Sequence, residues 1–315
     1  MTGATGFIGR QLCQRLQADG MHVTALGRSE QSGPWDNFKS GDIAGVLPMD
    51  LCENIDVVYH LAGIAHAMKL PESQQAIYEQ VNINGTTHLL DIIRESEVKS
   101  LVYFSSIKAM ADPGESCVDE AFQDEPNDPY GLSKRRAEQA VLTFGRQQGF
   151  HVCVLRPCLV YGPNPKGNLA RMLSAVDRGR FPPLRIRNNR RSMISVADLI
   201  EVAIRAGQDT RANGEVFIVS DGEYYSTQRI YQAMCDALNK PVPKWTFPVW
   251  PLSILAGVGD IIGAVTRRPF AFNSEALRRI TGSACYQNTH VCHKLDWQPA
   301  ETLESSLPNI IKSMK

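Results

Sequence analysis

Three near-continuous apolar runs, 56–62 (DVVYHLA), 100–106 (SLVYFSS) and 151–160 (HVCVLRPCLV), alternate with helix-patterned segments in the first half of this 315-residue chain. An apolar run without polar alternation suits a strand buried on both faces, and adjacent parallel strands need a covering helix between them. The intervening segments supply it. Residues 9–19 place Leu12 and Leu16 on one helical face, Gly20 supplies a stop, and 22–26 follows as a β-branched run. Residues 77–96 and 130–148 read as further helices. The pattern predicts an α/β fold with a doubly wound parallel sheet. The second half is interrupted by Pro163, Pro165, Pro182, Pro183, Pro241, Pro243, Pro248 and Pro251, with one clear strand at 215–220. It predicts a smaller C-terminal α/β substrate domain. The expected division is 1–162 and 163–315, with 193–210 a candidate to pack back on the first part.

Gly3, Gly6 and Gly9 stand immediately before the first helix, inside TGATGFIG. Glycines at that spacing let backbone approach a pyrophosphate, and the helix N-terminus offers unpaired N–H groups to it. The sheet is therefore expected to be Rossmann-type and to bind a dinucleotide. Such a sheet has a central strand before this turn, yet only Met1 precedes Thr2. A central strand is not lost without orphaning its neighbours' ladders, so the natural chain is expected to begin several residues upstream. After the second strand, an acidic residue would suit the free ribose hydroxyl of NAD, whereas Arg28 and Ser29 suit a 2′-phosphate. NADP is favoured; Glu30 and Asp42 keep NAD as the alternative.

Lys plus Arg (33) equal Asp plus Glu (33), so a polyelectrolyte partner such as nucleic acid is not implied. Eight scattered cysteines without a C-x-x-C pair suggest reduced thiols in a cytoplasmic protein, and no metal is expected even at His290, Cys292 and His293. The start has no basic-then-apolar export signal. Residues 252–266 (LSILAGVGDIIGAVT) are apolar apart from Asp260, but a helix of that length reaches only about 22 Å, too short to cross roughly 30 Å of hydrocarbon. A buried or lid helix is expected there, with monotopic membrane contact as the alternative.

Tyr130 and Lys134 are four apart at the start of a helix, hence on one face. An ammonium and a nicotinamide cation both favour the phenolate, which fits Tyr130 to exchange a proton with a sugar hydroxyl while hydride moves. Ser106, at the end of the strand 100–106, can hydrogen-bond the same oxygen.

TGATGFIG, DVVYHLAG, NINGT, FSSIK, YGLSK, RPCLVYGP, RRSMISVADL and LDWQP occur in that order. Together they resemble the motifs of the extended short-chain dehydrogenase/reductases of the nucleotide-sugar epimerase/dehydratase family, over nearly the whole chain. The resemblance implies catalysis by Tyr130, Lys134 and Ser106. It implies cofactor contacts from Gly3, Gly6, Phe7, Ile8, Gly9, Arg28, Asp42, Ile43, Leu61, Ala62, Tyr130, Lys134 and Pro157. It also implies a supporting role for Asn82 and UDP-sugar contacts from Ser106, Lys108, Asn168, Leu169 and Arg191.

Within that family, 4,6-dehydratases carry an Asp-Glu pair after the catalytic serine, where this chain has Ile107 and Lys108, so dehydration is disfavoured. Two oxidoreductive readings remain. Arg28, FSSIK, RNNRRSMISVADL and SDGEYYST are most similar to the branch that reduces UDP-4-keto-6-deoxy-N-acetylhexosamines at C4 in surface-polysaccharide synthesis. That reductase is favoured over a UDP-glucose 4-epimerase type, with Lys108 a candidate contact to the keto-sugar. A non-catalytic NAD(P)-binding sensor is the alternative of another class. Arg185, Arg187, Arg190 and Arg191 crowd one span; Arg191 is the candidate diphosphate ligand, whereas Arg185 and Arg187 read as a solvated basic strip. The resemblance further implies a homodimer through the helices 86–96 and 130–148, whose apolar faces equally suit a monomer core.

Overall fold

The computed structural model describes residues 1–64, 73–165, 167–184, 186, 188–266, 270 and 272–314. Its strands are β1 (Thr24–Gly27), β2 (Asn37–Ser40), β3 (Val57–His60), β4 (Ser100–Phe104), β5 (Cys117–Val118), β6 (His151–Pro157), β7 (Leu159–Tyr161), β8 (Arg191–Ser195), β9 (Val216–Val219), β10 (Tyr224–Tyr225) and β11 (Cys285–Tyr286). Its α-helices are α1 (Phe7–Ala18), α2 (Ser73–Tyr78), α3 (Gly85–Arg94), α4 (Pro129–Gln148), α5 (Asn168–Asp177), α6 (Val196–Gln208), α7 (Thr227–Ala237), α8 (Trp250–Thr266), α9 (Ser274–Thr281), α10 (Thr289–Lys294) and α11 (Leu303–Ser313).

The main sheet is parallel throughout. β2 pairs with β1 on one side, while β3, β4, β6 and β9 run in that order on the other. Met1 and Thr2 sit between the two groups. The Met1 amino group donates to the Thr24 carbonyl and Leu26 N–H donates to Met1 O; Thr2 N–H donates to Tyr59 O and Leu61 N–H to Thr2 O. The central position that the sequence leaves nearly empty is thus bridged by two residues, with Thr2 in parallel register with both Leu26 and His60. Helices cover both faces, as the apolar strands require. Leu12, Leu16, Leu199, Val202 and Ala203 bury one face against Val102, Leu155 and Phe217. Leu89, Ile93, Ala137 and Val141 bury the other against Leu101, Tyr103 and Val154. Of the apolar residues on the two helices named for dimerisation, Leu89, Ile93, Ala137 and Val141 are buried in the core of the subunit itself, while Ile92 and Leu142 pack partly buried against it.

Two elements beyond residue 162 join the first part, one of them within the span 193–210 named as a candidate to pack back. β9, read from sequence as the strand of the second part, pairs with β6 in the main sheet, and α6 packs on β4 and β6. Sequence pattern sees that β9 is buried but not which sheet it joins. The smaller part holds the β10–β8–β7 sheet and a core of Tyr161, Leu169, Leu173, Tyr225, Met234 and Leu307. Asp221 ties it together: its Oδ2 accepts from the hydroxyls of Tyr161 (2.9 Å) and Tyr225 (2.8 Å).

Two further readings are corrected. The 77–96 helix is broken by a π-helical turn, Glu79–Asn84, between α2 and α3. The cysteines are not all thiols: Cys117 and Cys285 are bonded, whereas Cys13, Cys52, Cys153, Cys158, Cys235 and Cys292 are free and buried. Parallel pairing of β5 with β11 sets these two residues opposite each other, with Cα atoms 4.5 Å apart across 168 residues of sequence. No local spacing signals that.

Between α4 and β6, Arg156 donates from Nε (2.9 Å) and Nη2 (2.7 Å) to the carboxylate of Glu138, both side chains almost fully buried. Removing one partner of such a pair strands the other charge in a dry interior, at a cost of about 3–5 kcal/mol. Glu138→Ala should destabilise the protein by that order, and the double variant Glu138→Met/Arg156→Met should recover most of it in denaturant unfolding. Equal losses for single and double variants would mean that the charges are solvated.

Candidate active site

The carboxyl ends of the main-sheet strands converge on one cleft, at the point where strand order reverses around Thr2. It has a volume of about 230 Å³ and is lined by Gly3, Gly6, Phe7, Ile8, Gly9, Leu61, Gly63, Ile64, Phe104, Ser105, Tyr130, Lys134 and Pro157. This is where an open parallel sheet binds its ligand.

Gly3 has φ +71°, and a Cβ there would come within 2.7 Å of the Leu61 carbonyl carbon. A Cβ on Gly9 would collide with the Gly3 carbonyl. Only glycine allows this approach. Gly6 caps α1 without a side-chain acceptor, and the first turn of α1 carries no acidic residue. Its leading N–H groups are free for an anion. Ser105 Oγ, buried in the lining, has no hydrogen-bond partner in the protein. A glycine cradle, an open helix terminus and an orphaned buried hydroxyl fit a dinucleotide.

A directional hydrogen-bond chain runs from this turn to α4. Thr86 Oγ1 donates to Asn82 O (2.7 Å), so its lone pairs receive the proton of His60 Nε2 (3.0 Å). His60 Nδ1 then accepts from Thr2 Oγ1 (2.6 Å), which itself accepts from Ala62 N–H (3.1 Å). Full burial pushes His60 down to about 3, which keeps the imidazole neutral, as this polarity requires. At the far end, Asn82 Nδ2 donates to Ser133 Oγ (2.8 Å) and Ile64 O, while Oδ1 accepts from Ile64 N–H (2.9 Å). Asn82 lies in the π-turn, a backbone form common at functional sites.

Asp128 caps α4 by accepting from Gly131 N–H (2.9 Å), and Pro129 occupies the first turn. This fixes Tyr130 at the cleft, its hydroxyl hydrogen-bonded to the Ser106 side chain and its ring 5.9 Å from that of Tyr78. Lys134, one turn on, is 5% exposed. Its Nζ donates to Phe104 O at 2.7 Å and lies 4.2 Å from the Tyr103 ring centroid. Burial pushes the amine down to about 7, and burial pushes Tyr130 up. The expected lowering of the phenol by its companion amine is thus not the dominant effect here. A desolvated ammonium needs an acceptor, and Lys134 takes it from β4.

The other named residues are distributed as follows. Arg28 and Asp42 are exposed beyond β1 and β2, and Asp42 Oδ1 accepts from Ala44 N–H. Ile43 is buried in the core, and Ala62 donates to Thr2. Ser106 Oγ accepts from Lys108 N–H (3.2 Å), and the Lys108 side chain is exposed. On the substrate side, Asn168 is exposed at the start of α5, whereas the Leu169 side chain is 7% exposed and belongs to the core. Arg191 opens β8, half-buried; its Nη2 donates to Gly282 O (2.9 Å) and Arg278 O at the end of α9. Burial lowers its pKa, opposed by Asp112. Arg185 and Arg187 lie outside the described residues. Among those described, no group of three His, Cys, Asp or Glu is placed to hold a metal, and His290 pairs with Glu215. Gly63, Ile64, Ser105 and the Thr2–His60–Thr86 chain escaped the sequence reading. A polar His60 inside the apolar run DVVYHLA was the available signal.

Residues 1–220 match the family described as "NAD dependent epimerase/dehydratase family". A UDP-glucose 4-epimerase of Vibrio cholerae is 30% identical over 313 residues, 96% of this chain and 91% of that protein. An N-acetyl-alpha-D-glucosaminyl-diphospho-ditrans,octacis-undecaprenol 4-epimerase of Escherichia coli O157:H7 is 24% identical, covering 99% of this chain and 93% of its own. Among solved structures, a UDP-glucuronic acid 4-epimerase from Bacillus cereus in complex with NAD has the same fold, with TM-score 0.76, 21% identity and coverage of 100% and 98%.

Lys134 gives a pH signature. An ordinary lysine titrates near 10.5, so between about 7 and that value the unfolded chain holds a proton that the folded chain has released. Stability therefore rises with pH across this window. In denaturant unfolding of the unliganded protein, the wild type should gain on Lys134→Met from about pH 7 to pH 9. Parallel stability curves would show that the amine is not desolvated.

Proposed function

The chain belongs to the NAD dependent epimerase/dehydratase family, and on that premise we propose that it epimerises C4 of a UDP-hexose through a 4-keto sugar. The observation that carries this reading is Tyr130 held against Ser106 at the cleft, with buried Lys134 one helical turn away. The Tyr130 oxygen takes the proton of the C4 hydroxyl, and Ser106 Oγ donates to that same oxygen as it becomes a carbonyl. Protonated Lys134 supplies the positive field that offsets the burial of the phenol. Gly3, Gly6, Phe7, Ile8 and Gly9, with Leu61, Ala62 and Pro157, would hold a nicotinamide dinucleotide, which would accept the C4 hydride and return it to the other face of the keto-sugar. Inversion requires the keto-sugar to turn while its diphosphate stays anchored, and Arg191 is the anchor proposed here, with Asn168 beside the uridine. Its guanidinium, already held by two carbonyls, is pre-oriented.

NAD is the cofactor that the family supports; the NADP preference suggested by Arg28 finds no support among the relatives. Arg28 and Asp42 are proposed to flank the adenosine ribose, with Ile43 backing them. A subunit pair built on the outer faces of α3 and α4, where Leu90, Arg94, Ala140 and Phe144 line a shallow hollow, completes the reading as a homodimer. The cytoplasm, where nucleotide sugars are made, is its proposed location.

The second reading, a C4 reductase of a UDP-4-keto-6-deoxy-N-acetylhexosamine, is favoured by exposed Lys108 beside Ser106, in the place where the family's dehydratases carry a carboxylate. The two differ in cofactor balance. Offered UDP-glucose and UDP-N-acetylglucosamine without added nucleotide, the protein should isomerise them with no net NADH formed. Stoichiometric oxidation of NADH or NADPH by the keto-sugar, without isomerisation, would establish the reductase instead.

Tyr130→Phe should lower kcat by about 10²–10⁴-fold with cofactor binding retained. Arg28→Asp should leave NADH affinity within a few-fold. A selective loss of NADPH affinity in that variant, from a wild type that prefers NADPH, would restore the NADP assignment.

A further inference from the structure

The helix expected to be buried or to act as a lid is instead partly bare. Trp250, Ile254, Val258, Ile261 and Ile262 recur at helical spacing along α8 and are 66%, 61%, 46%, 65% and 38% exposed, with Leu255 beside them at 50%. At 100° per residue these six positions span an arc of about 140° without one charged or hydrogen-bonding group except the Trp250 indole. In the segment leading into α8, Val242 and Trp245 are exposed as well, the latter at 62%. The opposite side of α8 meets the protein. Ala256 is fully buried, Gly259 packs on the Phe272 backbone, and Asp260 accepts from Ser274 N–H at the head of α9.

We propose that this face of α8, with Trp245 and Trp250, docks on the surface of a phospholipid bilayer carrying anionic lipid. Three observations select a bilayer over a second copy or another protein. A protein interface of this size carries hydrogen bonds about every 100–200 Å², and this stripe offers almost none. The paired tryptophans have an apolar body and one polar tip, which suits the boundary between headgroups and acyl chains. The charges are complementary: between 239 and 270 the chain has Lys240, Lys244, Arg267 and Arg268 against Asp260 alone; Lys240 pairs with Asp177 and Asp260 faces α9, so the excess of positive charge rests on Lys244, Arg267 and Arg268. At 17 residues α8 is about 25 Å long, and no described helix is long and apolar enough to span a membrane. The helix therefore lies on the bilayer rather than crossing it. α9, on which α8 packs, supplies the carbonyls that hold Arg191, so docking sets the orientation of the substrate side toward the lipid surface.

Flotation of the full chain with vesicles of phosphatidylcholine and phosphatidylglycerol tests this. The wild type should float, with Trp fluorescence shifted to the blue and quenched by brominated lipid. Ile254→Glu/Ile261→Glu should float at least about tenfold less, while keeping its NADH binding and far-UV circular dichroism. Val258→Ser, a milder change, should give an intermediate loss, and Lys244→Glu a loss on anionic vesicles only. Failure of the wild type to float, or equal flotation of the Glu variant, overturns the proposal. So does a change of oligomeric state in that variant without any vesicle binding by the wild type, because the face would then join two copies.

Discussion

The hydroxyl of Thr2 holds the structure's two halves and its active site in one frame. Its backbone joins the β1 side of the sheet to β3, and its side chain begins the hydrogen-bond chain through His60, Thr86 and Asn82 to Ser133 on α4. Each link is polarised in a defined direction, because Asn82 O can only accept and the Asn82 amide nitrogen can only donate. The neutral imidazole is what permits that order. A charged His60 would donate at both nitrogens, so that it and Ala62 N–H would both point at the Thr2 oxygen and the Thr2 hydroxyl proton would lose its acceptor. The turn that faces the cofactor and the helix that carries Tyr130 and Lys134 are thus registered to each other through the interior, not only through the sheet.

The same region concentrates unfavourable electrostatics. Lys134 and Tyr130 are each shifted by burial toward their neutral forms, although the proposed reaction uses both as charged species. The protein tolerates this with a backbone carbonyl and an aromatic face for the amine, and a serine for the phenol. Those contacts are too weak to restore the pKa of a solvated lysine, which leaves the site responsive to a positive charge placed in the cleft.

Much of this was legible in the sequence because it is local. Apolar runs gave the strands of the main sheet, and TGATGFIG gave the turn, since Gly3 and Gly9 are demanded by contacts within that turn and with Leu61. The spacing of Tyr130 and Lys134 gave the face they share. What escaped is non-local. Nothing near β9 says that it returns to β6, and nothing near Cys117 or Cys285 says that they meet. The π-turn at 79–84 hides in a stretch of helical pattern, because its extra residue shifts the register without changing the residue types. Arg28 shows the converse limit: a residue type suited to a 2′-phosphate stands exposed, with no neighbour that commits it to that task. α8 reads as apolar in sequence, yet composition alone does not say whether an apolar helix faces a core or a lipid.

The proton exchange proposed for Tyr130 is common to an epimerase and a reductase, so that end of the site does not separate them. The difference is whether the keto-sugar is held long enough, and loosely enough, to present its other face. On the proposed reading that is decided by the substrate side, where Arg191 of β8 is held by carbonyls at the end of α9 while Lys108 and Asn168 are exposed. On the proposed reading, an arginine held by backbone carbonyls beside an exposed rim fits a sugar that pivots about its phosphate. A reductase needs one pose only, and would gain from a rim that is bonded to the protein in advance.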